Sequence, residues 1–165
     1  IVYFKNFKEL TKDFWSDYLT DLDEYIMIEP KFWFDSRNVG GGCPPLKTEY
    51  GWLLIYHTVE HSSLGRRYHA AAALLDIRDP KKVIGRLSEP LFSPELNFEK
   101  KGIADNVVFP TAILKSGDQL KIYYGAADRV IALKSLSYKE LIDTLRVSPS
   151  ESKSPELIPV EEASS

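Results

Sequence analysis

Lys47 and His57 set an ammonium and an imidazole at the two ends of LKTEYGWLLIYH, a combination suited to an anionic ligand. They close the stretch Gly40–His57, GGGCPPLKTEYGWLLIYH, which opens on a glycine triplet. Such a triplet lets the backbone turn sharply or approach a ligand closely. Pro44 and Pro45 then stiffen the exit and favour extended backbone. A loop of this build can hold Lys47 and His57 at the same end of a sheet. The same residues equally fit a tight connection between strands, with a solvated turn lysine and a histidine satisfied inside the core; a glycine run alone does not choose between the two. Just upstream, Phe32, Trp33 and Phe34 form an aromatic run that can line a sugar site or pack a core.

The elements around these residues must come from a chain of 165 residues, enough for one domain or a piece of a larger one. A hydrophobic content of 44% with 12% aromatics indicates a folded β-rich body. The net charge of −3 offers no basic footprint for nucleic acid. Cys43 is the single cysteine, which excludes an internal disulfide and a zinc cluster; a reducing, cytoplasmic location is expected. No apolar run approaches the ~20 residues that cross a bilayer, so no membrane partner is expected. The first residues, IVYFKNFKEL, lack the layout of a signal peptide, and the missing initiator methionine is read as a start inside a longer protein.

Along the chain, KNFKELTK is compatible with a short helical turn, Asp13–Tyr18 reads as an aromatic strand, and Glu24–Glu29 as a strand that stops at Pro30. Gly51–Val59 is a strongly apolar strand, followed by a polar loop in which His61, Arg66 and Arg67 are surface residues. Tyr68–Ile77 resumes the sheet. Its four alanines favour helix by propensity, but the run is short and bounded by turn signals, so it reads as a crowded central strand. Val83–Arg86 and Pro90–Ser93 are edge pieces, and Leu96–Asp105 a charged loop. Val107–Lys115, Gln119–Tyr124 and Val130–Ser135 complete the strands. Ser137 and Glu140 form a capping box for one helix running to about Leu145, with Leu136 stapled on Leu141. The division expected is a folded domain over 1–146 and a disordered Ser/Pro/Glu-rich tail over 147–165.

An internal repeat organises these strands. LKTEYGWLLIYH at Leu46–His57 is echoed by LKSGDQLKIYY at Leu114–Tyr124, which sets Tyr56 against Tyr123, 67 positions on. A four-stranded unit at that spacing is the signature of a β-propeller blade. The fold class expected is therefore all-β, with about two and a half blades and one C-terminal helix. A ring needs at least about four blades to protect its strand edges, so missing blades or a homo-oligomer partner are expected.

The motifs GGGCPPLKTEYGWLLIYH (40–57), YHAAAALLDIRDPKKVIGRLSEPLFSP (68–94), DNVVFP (105–110) and YYGAAD (123–128) closely resemble glycoside hydrolase family 130, the β-mannosyl phosphorylases and related β-mannosidases. They cover most of residues 13–135 in family order and correspond to the C-terminal half of the family chain. The resemblance implies a five-bladed β-propeller. It also implies a reaction in which inorganic phosphate, a co-substrate rather than a cofactor, attacks the anomeric carbon of a non-reducing mannose. Mannose 1-phosphate leaves with inversion. Such a displacement needs an acid on the leaving oxygen and a nucleophile on the opposite face. Because phosphate brings its own nucleophilic oxygen, the protein mainly positions it and offsets its charge.

Carried over residue by residue, the resemblance makes Lys47 and His57 phosphate ligands and Asp128 a ligand of sugar hydroxyls. Asn106 and Phe109 would line the adjacent sugar subsite, with Tyr68 contributing. Each has a plainer alternative: Asp128 can cap the turn before Arg129, and Phe109 can be core. The sequence also departs from the family. Its catalytic aspartate and its phosphate-binding arginines lie upstream of the residues present, so no catalytic residue is assignable. Cys43 stands where proline is usual. Thr58 replaces a usual glycine, which is expected to alter the loop over the anion site. Half a site without turnover is expected of this chain alone; the alternatives are a non-catalytic sugar-binding or assembly module, or part of a β-mannosidase.

Overall fold

Alternation along Trp52–Ser62 places Leu53, Ile55, His57 and Val59 on one face and Trp52, Leu54, Tyr56 and Thr58 on the other. Both faces are largely apolar, so this strand must be covered twice, and it forms the middle of a five-stranded antiparallel sheet. In the computed structural model, which describes residues 1–62 and 65–148, that sheet comprises β1 (Asn38–Gly40), β2 (Leu46–Lys47), β3 (Trp52–Ser62), β4 (Gly65–Leu75) and β5 (Val83–Arg86). β1 and β2 both pair with β3, which pairs with β4, which pairs with β5. The four alanines are strand, as expected: Ala70–Ala73 are fully buried, two toward each face. Their small side chains let neighbouring layers approach both sides of β4.

A second sheet holds β6 (Val108–Ser116), β7 (Gln119–Ala126) and β8 (Val130–Ser137) in antiparallel order. Its Leu120, Ile122 and Tyr124 close on Leu53, Ile55, Ala72 and Leu74 of the first sheet to make the main core. The helix α3 (Tyr138–Val147) covers the side of this core with Leu141, Ile142 and Leu145. Ser137 caps α3 by accepting from the Glu140 amide at 3.1 Å. Asp118, from the β6–β7 turn, joins the cap by accepting from Lys139 N at 2.8 Å and Ser137 Oγ at 2.9 Å. A short helix, α2 (Asn97–Lys100), lies in the charged loop before β6.

The repeat is real, but its register differs from the expected one. Lys47 pairs with Trp52 and Lys115 with Leu120, so β3 and β7 correspond with Tyr56 at Tyr124, 68 positions apart (124 − 56), and His57 at Gly125. The identical letters Tyr56 and Tyr123 suggested a one-residue slip, which in a strand exchanges the two faces. With the register corrected, the first sheet presents its 53/55 face to the 120/122/124 face of the second. Unlike faces therefore meet, as in successive blades. The described fold is mostly β with the C-terminal helix, and its two sheets stack in the manner of successive propeller blades.

The N-terminal segment corrects two expectations. Asp13–Tyr18 is helical, within α1 (Lys12–Thr20), because Thr11 caps it by accepting from Phe14 N at 3.2 Å. Trp15 and Tyr18 are three residues apart and meet edge to face at 5.5 Å, a helical spacing that an aromatic-rich strand reading overlooks. Glu24–Glu29 is no strand either: it begins within a 3-10 turn over Leu22–Tyr25 and then crosses the back of the first sheet, where Met27 and Ile28 pack near Tyr56. The tail beyond Ser148 lies outside the described residues.

Candidate functional site

His57 sits at mid-strand on β3 opposite Gly40 of β1 and Ala70 of β4. Both neighbours are small, which leaves its ring room to lie flat. A Cβ on Gly40 would fall 2.3 Å from His57 Cε1 and 2.5 Å from Nε2. Glycine is thus required at position 40 by close approach rather than by backbone freedom. His57 Nδ1 lies 2.7 Å from the Gly41 carbonyl, so the second glycine of the run fixes the ring that the first accommodates. Burial pushes the His57 pKa below its ordinary value, with the Gly41 hydrogen bond opposing.

Two further rings join it. Phe109, at the start of β6, packs 4.3 Å from the His57 ring centroid, and Tyr68 of β4 stacks at 6.1 Å with planes 26° apart. Tyr68 is held to the DNVVFP segment by its amide, which donates to the Asn106 carbonyl at 2.9 Å, and it bridges to Val107. The segment 105–110 therefore joins the two sheets at the site. Val107 also accepts from Ala127 N at 3.0 Å, which brings the β7–β8 turn and Asp128 alongside.

Backbone strain is concentrated here. Among the described residues, the non-glycine residues with left-handed φ are Asn106 (59°), Ala127 (49°) and Asp128 (52°), all in these two adjoining segments. Ala127 and Asp128 are the centre of a type I′ turn closed by Arg129 N donating to Ala126 O at 3.1 Å. An alanine there costs about 1 kcal/mol, and such outliers gather where function over-determines the backbone. The turn is pinned by Ile103 and Ala104, whose amides both donate to the Ala127 carbonyl, at 2.9 and 3.2 Å.

The structure thus brings together His57, Tyr68, Asn106, Phe109 and Asp128, but not Lys47. Lys47 pairs with Trp52, on the opposite face of β3 and five residues from His57, roughly 16 Å along the strand. Its Nζ lies 5.8 Å from the Trp52 ring, as Lys115, its counterpart in the second copy, lies 4.5 Å from Tyr138. The expectation that one loop holds both residues at the same end of a sheet is corrected: the strand alternation separates them. Thr58 is also on the far face, fully buried opposite His69, so it bears on packing there and not on a loop over the His57 ring.

Register adds Asn38 to the His57 face and corrects the polar-loop reading of His61 and Arg66, which lie within β3 and β4. Asn38 pairs with Val59, two positions beyond Gly40 and His57 and therefore on their face. His61 and Arg66 pair with each other on that face further out, near the rim of the hairpin. Their shared face is set by the pairing register, which the sequence does not display. Arg67, on the other face, instead donates to the Pro94 carbonyl at 3.0 Å.

That far face carries a separate polar network. Asp35, fully buried, pairs with Arg86 at 2.6 Å and accepts from the amides of Lys31 and Phe32 at 2.8 and 2.7 Å. Arg86 also donates to the Tyr56 hydroxyl at 2.9 Å. His69, fully buried, meets Ser93 Oγ at 2.8 Å and Glu60 Oε2 at 3.2 Å. Of the aromatic run, Phe34 is core, Phe32 stacks on it at 5.5 Å, and Trp33 sits edge-on to His69 at 5.6 Å. These rings support the sheet from behind. Among the described residues, no group of three or more His, Cys, Asp or Glu side chains could hold a metal ion, and no helix is long and apolar enough to cross a membrane.

Comparison with known proteins places these segments in context. The family model described as beta-1,4-mannooligosaccharide phosphorylase matches residues 14–147. The 1,2-beta-oligomannan phosphorylase of Thermoanaerobacter sp. (strain X514) is 39% identical over 135 residues, covering 78% of this chain and 44% of that protein. The beta-1,4-mannooligosaccharide phosphorylase of Ruminococcus albus is 35% identical over 124 residues, covering 74% of this chain and 37% of its own length. Among solved structures, beta-1,2-mannobiose phosphorylase from Listeria innocua, in complex with beta-1,2-mannobiose, superposes with a TM-score of 0.66 at 40% identity, over 74% of this chain and 34% of that one. The chain spans less than half the length of the curated relatives it matches.

Proposed function

The chain belongs to glycoside hydrolase family 130, and from that premise we propose that it forms part of a glycoside phosphorylase. In this reading inorganic phosphate cleaves a β-mannoside with inversion and releases mannose 1-phosphate. The observation that carries it is the convergence of Tyr68, Phe109 and His57 with the strained segments that present Asn106 and Asp128. Stacked rings offer a flat apolar face to a pyranose, and the carboxylate and amide beside them suit its hydroxyls. We assign the oxyanion to His57 and the sugar to Asn106, Phe109, Asp128 and Tyr68; Lys47 is not carried into the assignment. The general acid lies outside these residues. Phosphate is the co-substrate, and no further cofactor enters the reading. A cytoplasmic location stays part of the reading, and the single free thiol, that of Cys43, is compatible with it.

The missing partner is a further antiparallel sheet of the same build. By the repeat register, the face of the first sheet that receives β6–β8 recurs in the second sheet as the face of Leu114, Tyr123, Ile131 and Leu133, and this face is bare: Ile131 is 81% exposed and Leu114 55%. A sheet seated there would continue the stack as β6–β8 continues it from β3 and β4, and would bring residues to the outer side of Phe109. Whether the same polypeptide or a second copy of this chain supplies that sheet is decided by measuring the mass of the active species.

The test is incubation with β-1,2- or β-1,4-mannobiose and phosphate. Saturable sugar binding by the 165-residue chain is expected, weakened at least about tenfold by Phe109→Ala or Asp128→Asn. Mannose 1-phosphate is expected only when the further sheets are supplied. A chain that binds no mannoside would sink the reading. A hydrolase is the second reading, favoured by a solved structure with a TM-score of 0.60 and 32% identity, reported with the finding that the family contains glycoside hydrolases that target beta-1,2 mannosidic linkages in Candida mannan. Free mannose formed without phosphate would select it.

A further inference from the structure

His57 Nδ1 lies 2.7 Å from the carbonyl of Gly41. A backbone carbonyl can only accept, so Nδ1 must carry a hydrogen and donate it. That excludes the neutral tautomer with its proton on Nε2. The other ring nitrogen has no hydrogen bond to a described residue, and it is not among the buried unpartnered polar atoms, which are Trp52 Nε1 and Thr58 Oγ1. Nε2 is therefore in reach of a ligand. Gly40, Phe109 and Tyr68 lie against the ring, and among the described residues no carboxylate, that of Asp128 included, forms an ion pair or hydrogen bond with it that would hold it as a cation. Burial acts in the same direction, toward the neutral ring.

We propose that His57 serves its ligand as a hydrogen-bond acceptor rather than as a cation: Nε2 presents a lone pair that selects a tetrahedral oxyanion carrying its own hydroxyl, the P–OH of protonated inorganic phosphate. This rests on the phosphate reading of the site and deepens it. A positively charged ring would take any oxyanion of the right size. A lone pair accepts from HPO₄²⁻ or H₂PO₄⁻ and repels sulfate, which has the same shape but no proton at neutral pH. A sugar hydroxyl offers Nε2 the same chemistry, so phosphate and mannose must be tried separately.

The test is ¹⁵N NMR of the imidazole nitrogens in the labelled 165-residue chain at neutral pH. Nδ1 is expected in the protonated range and Nε2 in the unprotonated range before any ligand is added; a proton on Nε2 would overturn the proposal. Inorganic phosphate should then shift Nε2, with sulfate at least about tenfold weaker, the worth of one hydrogen bond. Equal responses to the two anions, or no response to phosphate, would also overturn it. A response to mannose alone would reassign the lone pair to a sugar hydroxyl and overturn the anion selection. Failure of phosphorolysis is read separately, by the absence of mannose 1-phosphate, and does not move these resonances.

Discussion

At the scale of single residues, the site depends on one side chain that is absent. Gly40 leaves the space that the His57 ring occupies, and a methyl group there would fall well inside contact distance of two ring atoms. Gly40→Ala should therefore expel the ring from its bond to Gly41, at about 1–3 kcal/mol in stability, and shift the imidazole resonances of His57. Denaturant unfolding with the same NMR spectra checks both; an unmoved ring would show that the sheet yields instead. The histidines also set a pH dependence. Burial lowers the pKa of His57, and of His69 despite the opposing pull of Glu60, with Arg67 adding to the lowering. The unfolded chain, at the ordinary value of 6.5, then binds protons first as pH falls. Stability held above that value is lost as pH drops through the lower folded-state values. The melting temperature should thus fall between pH 7 and pH 5, and His69→Gln should flatten the slope. Glu99 and the aspartates with lowered pKa act only at still lower pH, because their reference values are 4.5 and 3.8.

At the scale of elements, the strand that carries His57 is held from behind. Asp35 ties the 3-10 turn of Trp33–Asp35 to Arg86 on β5, while Arg86 reaches Tyr56 on β3 and the Glu29 carbonyl. Both members of the ion pair are nearly or fully buried. Removing one partner leaves the other's charge unmatched away from water. Asp35→Ala should cost about 3–5 kcal/mol, more than the replacement of both partners by apolar residues. A double-mutant cycle with Arg86→Met measured by urea unfolding checks this; equal losses in the single and double variants would refute it. The β7–β8 turn is the complementary device: left-handed Ala127 and Asp128 are tolerated because Val107, Ile103 and Ala104 all bond to Ala127.

At the scale of the whole molecule, one terminal face is covered and the other is not. Residues 27–35 lie over the Tyr56 face of the first sheet, whereas Tyr123, Ile131 and Leu133 face solvent on the second. Ile131→Asp should abolish association of the chain through this face and leave the His57 resonances unchanged; sedimentation against chain concentration and the imidazole NMR spectra check the two parts. Much of this fold was legible in the sequence, because strand periodicity and turn residues are local signals: the cores of β3 and β4 and the Ser137 cap follow from neighbours a few positions apart, though both strands run on through the stretch read as a polar loop. The motifs also named His57, Asn106, Phe109 and Asp128. What the sequence could not determine was which face each residue occupies. A face is set by hydrogen-bond register, and a slip of one residue reverses it while leaving composition and motif unchanged. Hence Lys47, ten residues away in the same motif, lies across the sheet from His57; Tyr124 and not Tyr123 matches Tyr56; and His61 and Arg66, expected in a loop, lie in strands on the site face with Asn38. Residue types and order determined the family and the chemistry within reach, and the pairing of strands alone decided which side chains share it.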